Sequence, residues 1–113
     1  MRKMLVLGVL VALLGALVVA GPALSKRKSI EVDDNYFVHK RAPHTVTVHR
    51  GDKVKWEWGG HHPHNVTVVS GPVKFHSRIM SSGSFEKKLT RRGTYKIICT
   101  IHAPKMRMTL KVK

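Results

Sequence analysis

Cysteine is scarce in this chain. Its 113 residues include one, Cys99, which excludes an internal disulfide as the staple of the fold. Acidic residues are few as well: six Asp and Glu stand against 21 Lys and Arg, a formal net charge of +15. Such a surplus favours acidic proteins, anionic lipid headgroups or nucleic acid as partners, and says nothing about fold. Aromatic residues make up 6% of the chain, and beyond Trp56 and Trp58 they are too sparse for the stacking platform of a single-strand nucleic-acid binder. No nucleic-acid partner is therefore expected. No stretch after residue 24 carries a helical hydrophobic period, no internal repeat occurs, and low complexity is confined to Lys26-Arg27-Lys28.

What is present begins with a leader. Arg2 and Lys3 precede an uninterrupted apolar run from Met4 to Ala20, and small residues follow at Ala20, Gly21, Ala23 and Ser25. That order of charged, apolar and small-residue regions is that of a secretory signal, with cleavage after Ala20 or Ala23. The alternative is an uncleaved anchor, although the run falls short of the roughly 20 apolar residues of a spanning helix. Both readings make residues 1–24 a targeting segment. Both place residues 25–113 outside the cytoplasm: in the periplasm, in the cell envelope or secreted. A domain of that size is small for a hydrophobic core to hold alone. In an oxidising compartment a lone thiol is a liability or has a task, and a metal–thiolate bond would both protect it and tie distant parts of the chain together.

The exported part reads as short strands separated by turns. Ser29 to Val38 is a bent or bulged first strand interrupted at Asp33-Asp34-Asn35. From His44 to Arg50 the residues alternate, with Val46 and Val48 on one face, and Gly51-Asp52 turns the chain. Val54, Trp56 and Trp58 then share a face, and Gly59-Gly60 ends that strand. Further strands are expected over His64 to Val69, Phe85 to Leu89, Thr94 to Cys99 and about Met106 to Val112, while Phe75 to Met80 reads as a weaker strand or an irregular stretch. Period-two alternation of this kind argues for half-buried antiparallel strands, and seven or eight of them at regular spacing imply an all-β sandwich or barrel.

Chemistry concentrates after the Thr94 to Cys99 strand. Cys99, His102 and Met106 place a thiolate, an imidazole and a thioether on one tight loop. That soft set favours copper and lacks only a second imidazole to complete two histidines, a cysteine and an axial methionine. Among the other histidines, those at 39, 44, 49 and 76 stand singly in or beside strands and read as surface residues. His64 differs: it opens a strand after the loop His61-His62-Pro63, at an end where the Cys99 loop can meet it. It is the candidate for the remote ligand.

Taken together, Gly51-Asp52-x-Val54-x-Trp56, His64-Asn65-Val66-Thr67, Gly93-Thr94-Tyr95 and Cys99-x-x-His102-x-x-x-Met106 resemble a cupredoxin of the plastocyanin/azurin kind over nearly all of residues 29–113. The resemblance implies an all-β, antiparallel Greek-key β-sandwich of seven to eight strands that holds one type 1 copper ion per chain. His64, Cys99 and His102 would form its trigonal plane and Met106 its long axial contact. Met108 also lies near enough in sequence to compete for that axial role, whereas Met80 has no such claim. Asn65 would hydrogen-bond to the cysteine loop and hold the two ligand-bearing segments together. The ring edge of His102 would reach the surface in an apolar patch with Ala103, Pro104 and Gly59-Gly60, ringed by Lys105, Arg107, Lys87, Lys88, Arg91 and Arg92.

The implied activity is single-electron transfer between redox partners, acidic ones among them, by a monomer that could also associate with an anionic membrane surface. The chain is not expected to be an enzyme, since nothing supplies a second copper centre or a substrate pocket. Two other readings use the same residues. One is a non-enzymatic copper carrier or copper-resistance protein; the other is a structural zinc site of Cys99, His102, His64 and a further histidine. His61 and His62 could form an auxiliary metal-capture site at the mouth of the main one.

Overall fold

The computed structural model describes residues 25–38 and 44–113. The expected leader, residues 1–24, and His39 lie outside the described residues. Among those described there is no helix, and eight strands form two four-stranded sheets. They are β1 (Arg27–Asp33), β2 (Tyr36–Phe37), β3 (Thr45–Val48), β4 (Lys53–Trp58), β5 (Thr67–Ser70), β6 (Ser84–Lys88), β7 (Gly93–Ile98) and β8 (Arg107–Val112). One sheet runs β2-β1-β4-β6 and the other β3-β8-β7-β5.

The alternation read from the sequence is the alternation of burial. Val54, Trp56 and Trp58 of β4, Tyr95 and Ile97 of β7, and Met108, Leu110 and Val112 of β8 all point into the core. Trp56 is fully buried, 5.8 Å between ring centroids from Phe85 and 6.0 Å from Phe75, which in turn stands 6.2 Å from Tyr95. Aromatic packing therefore bridges the two sheets near the middle of the sandwich.

Two expectations are corrected. The sandwich is not wholly antiparallel: β1 runs parallel to β4 and β3 parallel to β8. Period two shows which face of a strand is buried but carries no information on the direction of its neighbour. The first strand is not bulged but folded into a hairpin, with Val32 opposite Phe37 and Asp33 opposite Tyr36. The turn places Asn35 at φ 74°, a left-handed conformation that asparagine tolerates. Phe75 to Met80, weak in the sequence pattern, is the irregular stretch: it forms no strand, makes isolated bridges from His64 to Met80 and from Thr67 to His76, and Ser77 N–H donates to Val66 O.

At one pole, backbone hydrogen bonds gather the turns. Lys53 N–H donates to Lys26 O, Arg50 N–H to Lys113 O and Gly51 N–H to Leu89 O. Asp52, buried there, accepts from the N–H of His49 at 2.9 Å and of Lys26 at 3.0 Å. Those two donors, His49 first, hold its carboxyl below the usual carboxylate range. A lowered folded-state pKa means that the ionised form favours the fold. That stabilisation is fully present above about pH 4, the unfolded-state value, and is lost as pH falls through the folded-state value. Asp52→Ala should therefore lower the melting temperature at neutral pH, and the gap to wild type should narrow steadily below about pH 4 in melts recorded across the acid range.

Candidate metal centre

The other pole is built from two segments far apart in the chain. The first follows β7. Cys99 N–H donates to Met106 O, His102 N–H to Cys99 O and Met106 N–H to His102 O, so residues 99–106 close on themselves before β8 begins. Cys99 and Met106 are fully buried within this loop, while His102 is half-buried. The second segment precedes β5. His64 exchanges backbone hydrogen bonds with Met80, and its carbonyl accepts from Trp58 Nε1 at 3.3 Å. His64 is fully buried.

Side chains converge where the segments meet. Nδ1 of His64 lies 3.2 Å from Nδ1 of His102 and 3.9 Å from Sγ of Cys99, and Cys99 Sγ is 3.5 Å from His102 Nδ1. Metal bonds of about 2.0–2.1 Å to imidazole nitrogen and about 2.3 Å to thiolate sulfur, set at about 120°, require N···N near 3.5 Å and N···S near 3.8 Å. The observed triangle matches those spacings to within a few tenths of an ångström, and one soft thiolate with two imidazoles suits copper. The three residues fit the ion without rearrangement.

Asn65 locks the two segments together. Its Nδ2 donates to Thr100 Oγ1 at 2.7 Å, and its Oδ1 accepts from Thr100 N–H at 3.0 Å and from Thr67 Oγ1 at 3.1 Å. Asp34, in the β1–β2 turn, adds a tie that the sequence reading missed. Its Oδ1 accepts from the N–H of His61 at 3.0 Å and of His62 at 2.9 Å, and lies 3.1 Å from Nε2 of His64. These donors, the His62 N–H foremost, hold its carboxyl far below the usual carboxylate range. The approach is so close that a Cβ at Gly60 would collide with the Asp34 carboxylate, so that position requires glycine. One signal was available: Asp34 is one of only six acids, and it stands in a turn beside Asn35.

Other expectations fare differently. His44 is buried rather than exposed, because it shares the inward face of Val46 and Val48. His49 and His76 are exposed. His61 and His62 are exposed and serve through their backbone; among the described residues the metal-ligating cluster contains only His64, Cys99 and His102. The further histidine that the zinc reading needs is thus absent from the cluster. Met108 sits opposite Ile97 in the β7–β8 ladder and packs in the core.

The depression beside His102 is lined by Asn35, Ala103, Pro104 and Lys105, not by Gly59-Gly60, which lie against Glu31 and Asp34. Lys105 and Arg107 stand at this pole. Lys88 pairs with Lys53 at the other end of the sandwich, and Arg91 and Arg92 precede Gly93, the far end of β7, roughly 17 Å along the strand from Ile98.

Comparison with known proteins agrees with this geometry. Residues 27–113 match the family of copper-binding proteins of the plastocyanin/azurin type. The chain belongs to that family, the cupredoxins, whose blue copper centres transfer single electrons. Among solved structures, an oxidised mutant of amicyanin is similar at 24% identity and a TM-score of 0.64, over 76% of this chain and 81% of that one. The Cu(I) form of another amicyanin mutant matches at 26% identity and a TM-score of 0.65, over 83% and 88%. A copper-containing nitrite reductase from Thermus scotoductus SA-01 matches at 21% identity and a TM-score of 0.66, over 82% of this chain but 23% of its own. No curated protein sequence matches.

Removal of the Asn65 side chain should loosen the joint between the segments. Asn65→Ala should destabilise the copper-free protein by about 1–3 kcal/mol, the range for stranding a hydrogen-bonded partner. Denaturant unfolding measures this, and the same variant should broaden the visible band of the copper-loaded form.

Proposed function

We propose that the chain is an extracytoplasmic, non-enzymatic, monomeric type 1 copper protein that carries single electrons between redox partners. His64, Cys99 and His102 would hold the copper, and Met106 would add its thioether. The observation that carries this reading is the triangle of two Nδ1 atoms and one Sγ with edges of 3.2, 3.5 and 3.9 Å.

Bound copper supplies a one-electron couple, Cu(II)/Cu(I), at the pole of the sandwich. The residues of the chain keep that couple fast by not moving. Cys99 is anchored by the β7 ladder and by its N–H bond to Met106 O, and His64 by its backbone bridge to Met80. Copper would take Cys99 as the thiolate, so its binding would release a proton, and because only the folded chain brings the three donors together, binding would stabilise the fold by linkage. His102 is the only half-buried member of the triangle, and its ring beside Ala103 and Pro104 is the route by which electrons enter and leave. Full burial of His64 and Cys99 favours retention of the metal over the easy release that a copper carrier needs.

Charge is divided between the poles. Lys105 and Arg107 flank His102 and would steer acidic redox partners. Exposed Lys26, Arg50, Lys53, Lys88, Arg91, Arg92 and Lys113 gather at the opposite pole, where the described chain begins after the apolar run of residues 4–20. That cationic end would face an anionic envelope surface and leave the copper pole free for exchange.

Loading with Cu(II) should produce an intense visible band that a one-electron reductant bleaches and an oxidant restores, without loss of copper to a chelator. Cys99→Ser should abolish the band and His64→Ala should weaken it sharply. A colourless copper adduct of the wild type would sink the proposal, and rapid loss to the chelator would favour the carrier instead. Met106→Leu should shift the reduction potential more than Met108→Leu; the reverse order would reassign the axial contact.

A further inference from the structure

The contact between Asp34 and His64 is not explained by ligand geometry alone. Its arrangement is specific. One ring nitrogen of His64 faces Cys99 and His102, and the other lies 3.1 Å from a carboxylate oxygen contributed by a turn 30 residues earlier. We propose that Asp34 is a positioning and tuning residue of the copper site: its carboxylate holds His64 in the Nε2–H tautomer, aims Nδ1 at the metal position, and makes this imidazole the stronger donor of the two. The inference rests on the copper reading above.

The chemistry follows from the inventory of donors and acceptors. An ionised carboxylate has no proton to give, so His64 Nε2 must donate, and a neutral ring that donates from Nε2 keeps its lone pair on Nδ1. A negative partner on the far side of the ring raises the basicity of that lone pair. It also favours the more positively charged state of the site, Cu(II) over Cu(I), and so lowers the reduction potential. Among the described residues His102 has no carboxylate partner, so the two imidazoles are unequal. His64 is the fixed, charge-assisted donor, and His102 is the more accessible one.

Asp34 is held firmly enough for this role. Its own N–H donates to Asp33 Oδ1 at 2.8 Å, the backbone N–H groups of His61 and His62 grip its carboxylate, and Gly60 leaves the space for it. Neighbouring Asn35 lines the depression beside His102. The same turn therefore touches the surroundings of both histidines.

Two measurements on the full chain decide the matter. In the copper-free wild type at mildly alkaline pH, long-range proton–nitrogen NMR should show His64 as the Nε2–H tautomer. In the copper-loaded protein, Asp34→Asn keeps an amide oxygen where Oδ1 accepts its bonds but removes the charge. That variant should remain blue, while its Cu(II) affinity falls about tenfold relative to Cu(I). Such a change is a rise of about 59 mV in a one-electron couple. Asp34→Ala should lose more, up to about 100-fold in Cu(II) affinity. An Nδ1–H tautomer in the wild type overturns the proposal even if neither variant folds. A blue Asp34→Asn protein with the wild-type potential overturns it too. A wild type that forms no blue copper complex overturns the copper reading itself, and this inference with it.

Discussion

Everything at the working end of this molecule depends on the meeting of two loops whose contacting residues, Asn65 and Thr100, lie 35 positions apart. The paired contacts of 2.7 and 3.0 Å between them join the start of β5 to the loop after β7. Beside the Thr67–Ile98 pair of the β5–β7 ladder, that join fixes His64 against Cys99. With it, two nitrogens and a sulfur stand at metal-binding distance from one another.

The rest of the fold makes that pole stiff. Both sheets end at it: β4 runs up to Trp58, whose indole N–H donates to the carbonyl of His64, and β7 runs up to Cys99. Trp56 and its aromatic neighbours fill the interior below. A donor set held by a packed β-sandwich undergoes little rearrangement when the charge at its centre changes by one, and that is what rapid electron exchange requires. The opposite pole, tied by Asp52 and crowded with lysine and arginine, is separated from the donors by the length of the strands.

Much of this could be read along the chain. Alternating residues such as Val54, Trp56, Trp58 and Tyr95, Ile97, Cys99 named their own buried faces, and the spacing of Cys99, His102 and Met106 named a metal loop. What escaped were features that depend on neighbours distant in sequence. The parallel pairing of β1 with β4 and of β3 with β8 leaves no mark on either strand's own pattern. His44 looked like a surface residue until it was seen on the inward face with Val46. The resemblance set Lys88, Arg91 and Arg92 around the site, yet a strand that spans the sandwich puts them at the other end.

The sequence by itself determined the chemistry: a single soft sulfur, the imidazoles able to join it, and a β-pattern to hold them. These are properties of residue type and of short-range periodicity, which the chain carries before it folds. Only the tertiary structure decided which imidazole would face the sulfur, that a carboxylate would stand behind it, and which charges would lie near the metal. Those are matters of distance between segments tens of residues apart, and such distances exist only once the two sheets have closed on each other.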